Sequence, residues 1–169
     1  FAAVERASRL HQVAVMKREA MQLLARADAD AGERASLEAS FRRALETMWM
    51  AFQPIVSEDG RVFGYEALLR SREPALPHPG AVLDAAEKLD LLDELGRRVR
   101  SLSVEAFASA PADATLFVNL HVCDLLDKEL YETESSLGRI AERVVLEITE
   151  RAAMDNVKDT GARIAVLRY

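Results

Sequence analysis

Cysteine is nearly missing from this 169-residue chain. Cys123 stands alone, which excludes an internal disulfide framework and a zinc site built on thiolates, and suits a reducing compartment such as the cytoplasm. Long apolar runs are missing too. No stretch approaches the ~18 uncharged apolar residues of a spanning helix, so no segment is expected to enter a membrane. Glycine-rich phosphate loops, HExxH, GxSxG and CxxC do not occur, so no ready-made phosphate, zinc or nucleophile motif is on offer. Basic residues are in deficit, 22 against 28 acidic for a net charge of −6. That balance speaks against a nucleic-acid duplex as partner while leaving phosphate-bearing small molecules open. The chain opens on Phe1 with no leader pattern behind it, and is expected to be a piece of a longer protein.

Half of the residues are apolar and the mean hydropathy is −0.05, enough for one core plus an appendage. Charge and pattern place the boundary. Residues 1–50 hold eight basic and seven acidic groups, no proline and one glycine, whereas the acidic excess falls in the remainder. The first segment is rich in Ala, Glu, Arg, Leu and Met, which lose little rotamer freedom in a helix. Val13, Met16, Ala20, Leu23 and Ala27 recur at helical spacing. This stripe suits packing against the C-terminal domain, or a short two-stranded coiled coil leading from an upstream sensory domain. Asp28 to Gly32 signals a break, and Asp30 with Glu33 reads as a capping box opening a second helix. That helix presents Leu37, Phe41, Leu45 and Met48 on one face. The expected division is a helical arm over 1–35 and a domain over 36–169.

From Phe52 strands and helices alternate, the pattern of parallel βα units. Phe52–Val56, a turn at Ser57–Gly60 and the strand Arg61–Arg70 form a hairpin-like opening. A proline-rich loop comes next over 71–80, then helices over 81–92 and 95–108. Thr115–His121 and Val144–Thr149 read as strands buried on both faces. Residues 123–130, 135–143 and 155 onward read as helical.

Three strands carry an abrupt polar residue: Glu66, Asn119 and Glu147. A carboxylate left unpaired in a doubly buried strand would cost several kcal/mol. Converging at the C-terminal mouth of a barrel, two carboxylates and an amide would make an all-oxygen set suited to Mg²⁺ or Mn²⁺. The competing reading is three separately satisfied positions: a carboxylate on Arg70, an amide bridging turns, a carboxylate capping a helix. His121 shares the parity of Asn119, but a capping role suits it better than ligation. His78 and His11 read as solvated, and Cys123 as a small buried residue.

Four strings then occur in register: Gln53-Pro54-Ile55-Val56, Gly64-Tyr65-Glu66-Ala67-Leu68-Leu69-Arg70, Phe117-Val118-Asn119-Leu120 and Leu146-Glu147-Ile148-Thr149-Glu150. In order and spacing they resemble the EAL domain, a family of bacterial phosphodiesterases of cyclic di-GMP. The resemblance covers about residues 40–169. It implies an α/β fold, the first half of a modified (β/α)8 TIM-type barrel, with four of the eight strands in this chain. It implies that Glu66, Asn119 and Glu147 are ligands of Mg²⁺ or Mn²⁺, and that Gln53 and Arg70 contact the dinucleotide with Leu69 as an apolar floor. Glu150 would brace a neighbouring loop and couple it to a homodimer. The implied chemistry is two-metal hydrolysis of cyclic di-GMP to linear pGpG. The alternative is a non-catalytic module for binding or dimerisation. The family's later double aspartate, lysine, glutamate and glutamine have no counterpart here, so this chain alone is expected to be inactive. Gly161–Val166 imitates the double-aspartate strand but comes too soon after Glu147, and is read as helix.

Overall fold

The computed structural model describes residues 2–148 and 159–167; before Met21, only the side chains of Met16 and Glu19 are described. Two units result, residues 1–39 and 40–169. Helix α1 spans Ala2–Thr47 without interruption. The break expected at Asp28–Gly32, with its capping box at Asp30, does not form. One glycine costs a helix about 1 kcal/mol, and the flanking Ala, Leu, Arg and Glu outweigh it where no proline intervenes. Within the first unit, Met16, Met21, Leu23 and Leu24 are all at least 60 % exposed. Within the second, Phe41, Leu45 and Met48 are buried, as their spacing predicts, and Ala44 is buried with them.

The last turn of α1 delivers the chain into strand β1 (Trp49–Val56), which pairs antiparallel with β2 (Val62–Arg70). Asp59 shapes the turn between them, accepting hydrogen bonds from Ser57 Oγ at 2.6 Å and Arg61 Nε at 2.6 Å. Helices α2 (Pro79–Leu89) and α3 (Leu92–Phe107) carry the chain over to β3 (Thr115–Leu120), parallel to β2. Strand β4 (Val144–Ile148) comes next, parallel to β3, so the sheet runs β1-β2-β3-β4. Helix α4 (Thr160–Val166) ends the described chain and includes Gly161–Val166. That segment is helix, as read from its spacing.

Two boundaries depart from the periodicity. Helix α2 begins earlier because Pro79 occupies its first turn and His78 caps it, Nδ1 accepting from the N–H of Ala81 at 3.0 Å. His78 is exposed, but it has this local task. Between β3 and β4 the expected α-helices are replaced by 3-10 segments at Val122–Leu126, Lys128–Tyr131 and Gly138–Arg143. Asp124 and Asp127 bond nearby backbone N–H groups there, and such short polar side chains compete with α-helical bonding.

The sheet is covered on one face. Leu116, Val118 and Leu120 are at most 2 % exposed, and pack with Met50, Ala67, Phe107, Val122 and Leu125. Each such side chain contributes about 1.5–3 kcal/mol by burial. The opposite face carries the intervening residues, and in β3 these are only half-buried. The expectation of burial on both faces is therefore corrected: alternation, not continuity, describes β3 and β4. Gly64 allows β2 and β3 to close up, because a Cβ there would lie 2.5 Å from the carbonyl oxygen of Thr115 and 2.9 Å from the Phe117 ring.

Candidate functional site

Strand alternation sorts the candidate residues. Gln53 stands opposite Glu66 across β1 and β2, Glu66 opposite Phe117 across β2 and β3, and Asn119 opposite Glu147 across β3 and β4. All four polar side chains consequently share the less covered face, in one row across four strands. Asn119 Nδ2 donates to Glu66 Oε1 at 2.8 Å. Both are half-buried, whereas Gln53 and Glu147 are exposed. Glu66 lies in the middle of β2, not at an end: the strand runs four residues further, to Arg70.

Arg70 has the same parity as Glu66 and closes β2, its Nη1 donating to the carbonyl oxygen of Leu69 at 2.9 Å. Leu69 has the other parity and packs against the core while bordering the end of the strand. Glu150 lies outside the described residues. A cavity of about 750 Å³ opens at the C-terminal ends of β2 and β3, bordered by Leu68, Arg70, Leu83, Asn119 and His121. His121 caps the 3-10 segment that succeeds β3, Nδ1 accepting from the Cys123 N–H at 3.2 Å.

Beneath the row lies a charged cluster with no motif to announce it. Arg100 of α3 is 4 % exposed and donates from Nη1 to Asp124 Oδ1 at 2.6 Å, and from Nη2 to Asp127. Burial pushes the Asp124 carboxyl up, with Arg100 and the His121 N–H pulling the other way. Burial also raises the Cys123 thiol, reinforced by Asp124. A second pair joins the end of α1 to the loop after β2. Arg43 donates to both oxygens of buried Glu73, at 2.9 and 3.1 Å, and holds its carboxyl below the usual range. In sequence the only signal for either was an arginine inside a buried helix face and a carboxylate inside a proline-rich loop.

A sheet that is parallel over β2, β3 and β4, with β1 antiparallel at its edge, a carboxylate–amide row on one face and a cavity at the C-terminal ends of β2 and β3, has the arrangement of part of an α/β barrel. The EAL domain family model matches residues 35–169, and the chain belongs to that family. The four strands among the described residues belong to the first half of the family's modified (β/α)8 barrel. The chain is similar to the PaMucR phosphodiesterase in complex with c-di-GMP, at 28 % identity and TM-score 0.62, over 79 % of this chain and 58 % of that one. It is similar to the FimX EAL domain from Pseudomonas aeruginosa bound to c-di-GMP, at 28 % identity and TM-score 0.60, over 78 % and 58 %. The Xanthomonas citri FimX EAL domain, at 20 % identity and TM-score 0.66 over 83 % and 59 %, shares the fold. The chain thus spans less than two thirds of these structures. None of the curated proteins matches it.

Among the described residues no group of three His, Cys, Asp or Glu side chains is placed to hold a metal; the row supplies two carboxylates and two amides. No helix among them is long and apolar enough to cross a membrane.

Proposed function

We propose that this chain forms part of a cyclic di-GMP phosphodiesterase that cleaves one phosphodiester of the cyclic dinucleotide to give linear pGpG. The observation that carries the reading is the Asn119–Glu66 hydrogen bond, with Gln53 and Glu147 in register on either side. The residues fit a hard divalent ion. Every donor is oxygen, and with Nδ2 engaged by Glu66 the amide oxygen of Asn119 is the atom left to turn toward a cation. Glu66, Asn119 and Glu147 would hold Mg²⁺ or Mn²⁺. When bound, such ions polarise the phosphoryl group and supply hydroxide near neutral pH.

The chain's own residues do the rest. Arg70 offers a planar fork to phosphate oxygens; one of its N–H groups is engaged with the Leu69 carbonyl. Gln53, exposed on the outer strand, presents an amide that can donate and accept. Leu69 supplies apolar surface at the end of the strand. The arm, with a domain boundary near residue 35, joins an upstream sensory domain. The protein works in the cytoplasm as a homodimer.

The test is incubation of the full-length protein with cyclic di-GMP and Mg²⁺ or Mn²⁺, with chromatography of the products. Metal-dependent pGpG is expected. The 169-residue chain by itself should produce none, because the family's double aspartate and lysine have no counterpart in it. A second reading, binding without hydrolysis, is supported by the likeness to FimX EAL domains described as bound to c-di-GMP. Retention of the dinucleotide with no pGpG would favour it.

A further inference from the structure

We propose that Arg100 and Asp124 are a positioning pair, which fixes the end of β3 and thereby the amide oxygen that Asn119 turns toward a cation. The proposal rests on the reading of Asn119 as a ligand. Three observations carry it.

The first is cost. Arg100, Asp124 and Asp127 have side chains only 5 %, 5 % and 7 % exposed. Taking such ions out of water costs several kcal/mol each, and apolar residues of similar volume often serve stability as well or better. Arg97 adds a partly exposed charge 3.5 Å from Asp127 Oδ1, without relieving Arg100 or Asp124 of their burial.

The second is fit. Gly96 lies one turn before Arg100, and a Cβ there would fall 1.8 Å from Asp124 Oδ1 and 3.0 Å from Arg100 Nη1. Glycine inside a helix costs about 1 kcal/mol relative to alanine. Here it leaves room for this one carboxylate to press against α3.

The third is direction. The other oxygen, Asp124 Oδ2, accepts the backbone N–H of His121 at 2.8 Å. His121 is the first residue beyond β3 and the second after Asn119. A continuous path of hydrogen bonds and one short stretch of backbone thus runs from α3 to the row: Arg100, Asp124, the N–H of His121, Asn119, Glu66. Arg100 touches neither cation nor ligand; it acts through the backbone at residue 121.

The test is Mn²⁺ affinity of the full-length protein, read from the EPR signal of the free ion, with thermal melting to keep each variant folded. Outer partners of a metal site are worth roughly 10-fold to 100-fold in affinity, and Arg100→Gln should lose that much, with Arg100→Lys recovering part of it. In an Asn119→Ala background Arg100→Gln should lose nothing further, because the route is already cut. If Arg100→Gln does not fold, Arg100→Lys gives the same comparison at smaller amplitude. Lower melting temperature with unchanged Mn²⁺ affinity, or an equal loss in the Asn119→Ala background, would overturn the proposal alone. Unchanged affinity in Asn119→Ala by itself would overturn the reading of the site, and the proposal with it.

Discussion

Asn119 and Glu66, 53 residues apart in the chain, meet across β2 and β3 with Nδ2 donating to Oε1 at 2.8 Å. Neither is fully buried, so the contact is not forced by desolvation; it exists because parity and register put both side chains on one face. Glu66→Ala in the full-length protein should therefore leave the fold intact and lower turnover by roughly 10³-fold or more, the scale on which loss of one group stabilising the transition state is felt. Product chromatography with a parallel melting curve checks it. Undiminished turnover would remove Glu66 from the site.

Gly64 carries a structural prediction. Its missing Cβ makes space for the Thr115 carbonyl and the Phe117 ring, so Gly64→Ala must push β2 and β3 apart. A loss of about 1–3 kcal/mol is expected, as for other overpacked positions, read as a lower urea midpoint at constant slope. An unchanged midpoint would mean that the two strands yield freely.

The Arg43–Glu73 pair predicts a response to acid. Arg43 lowers the Glu73 carboxyl, so its stabilising share is fully present above the ordinary glutamate value of about 4.3. It is lost as pH falls through the lower folded value. The stability difference between wild type and Arg43→Met should be constant above about pH 5 and shrink below about pH 4. Urea unfolding at a series of pH values measures it, and a gap that does not shrink on acidification would count against the pairing.

Cys123 should be a sluggish thiol. Burial and the neighbouring Asp124 raise it, so the thiolate fraction at neutral pH falls below that of a free cysteine. Its reaction with a disulfide reagent should be slower than that of glutathione, with the inflection of its pH profile displaced upward. A rate equal to that of glutathione at pH 7 would contradict the assignment.

Legibility in the sequence tracks the range of each interaction. Glu66, Asn119 and Glu147 stood out because a polar residue in an apolar strand is a local contrast, and period-2 alternation then fixes which of them share a face. The helix break failed for the opposite reason: Asp28 to Gly32 is a weak local signal inside a segment whose summed propensity is strongly helical. The 3-10 segments were illegible because Asp124 and Asp127 are shaped by Arg100, which lies 24 and 27 residues earlier. His78 hid in a loop whose prolines obscured its cap, and Leu69 was given a role by its place in a string, though its parity sends it toward the core.

That shared parity bears on how the domain can vary in length. Gln53, Glu66, Asn119 and Glu147 reach one face only because each keeps its step within its own strand. One residue inserted between Val62 and Glu66 would turn the carboxylate into the layer of Met50, Ala67 and Leu116 and bring Tyr65 out in its place. The turn over Ser57–Arg61 carries a constraint of its own, since the Ser57 N–H bonds the Arg61 carbonyl beside the Val56–Val62 pair and so sets the register of the hairpin. Changes of length inside the strands keep the shared face only two residues at a time.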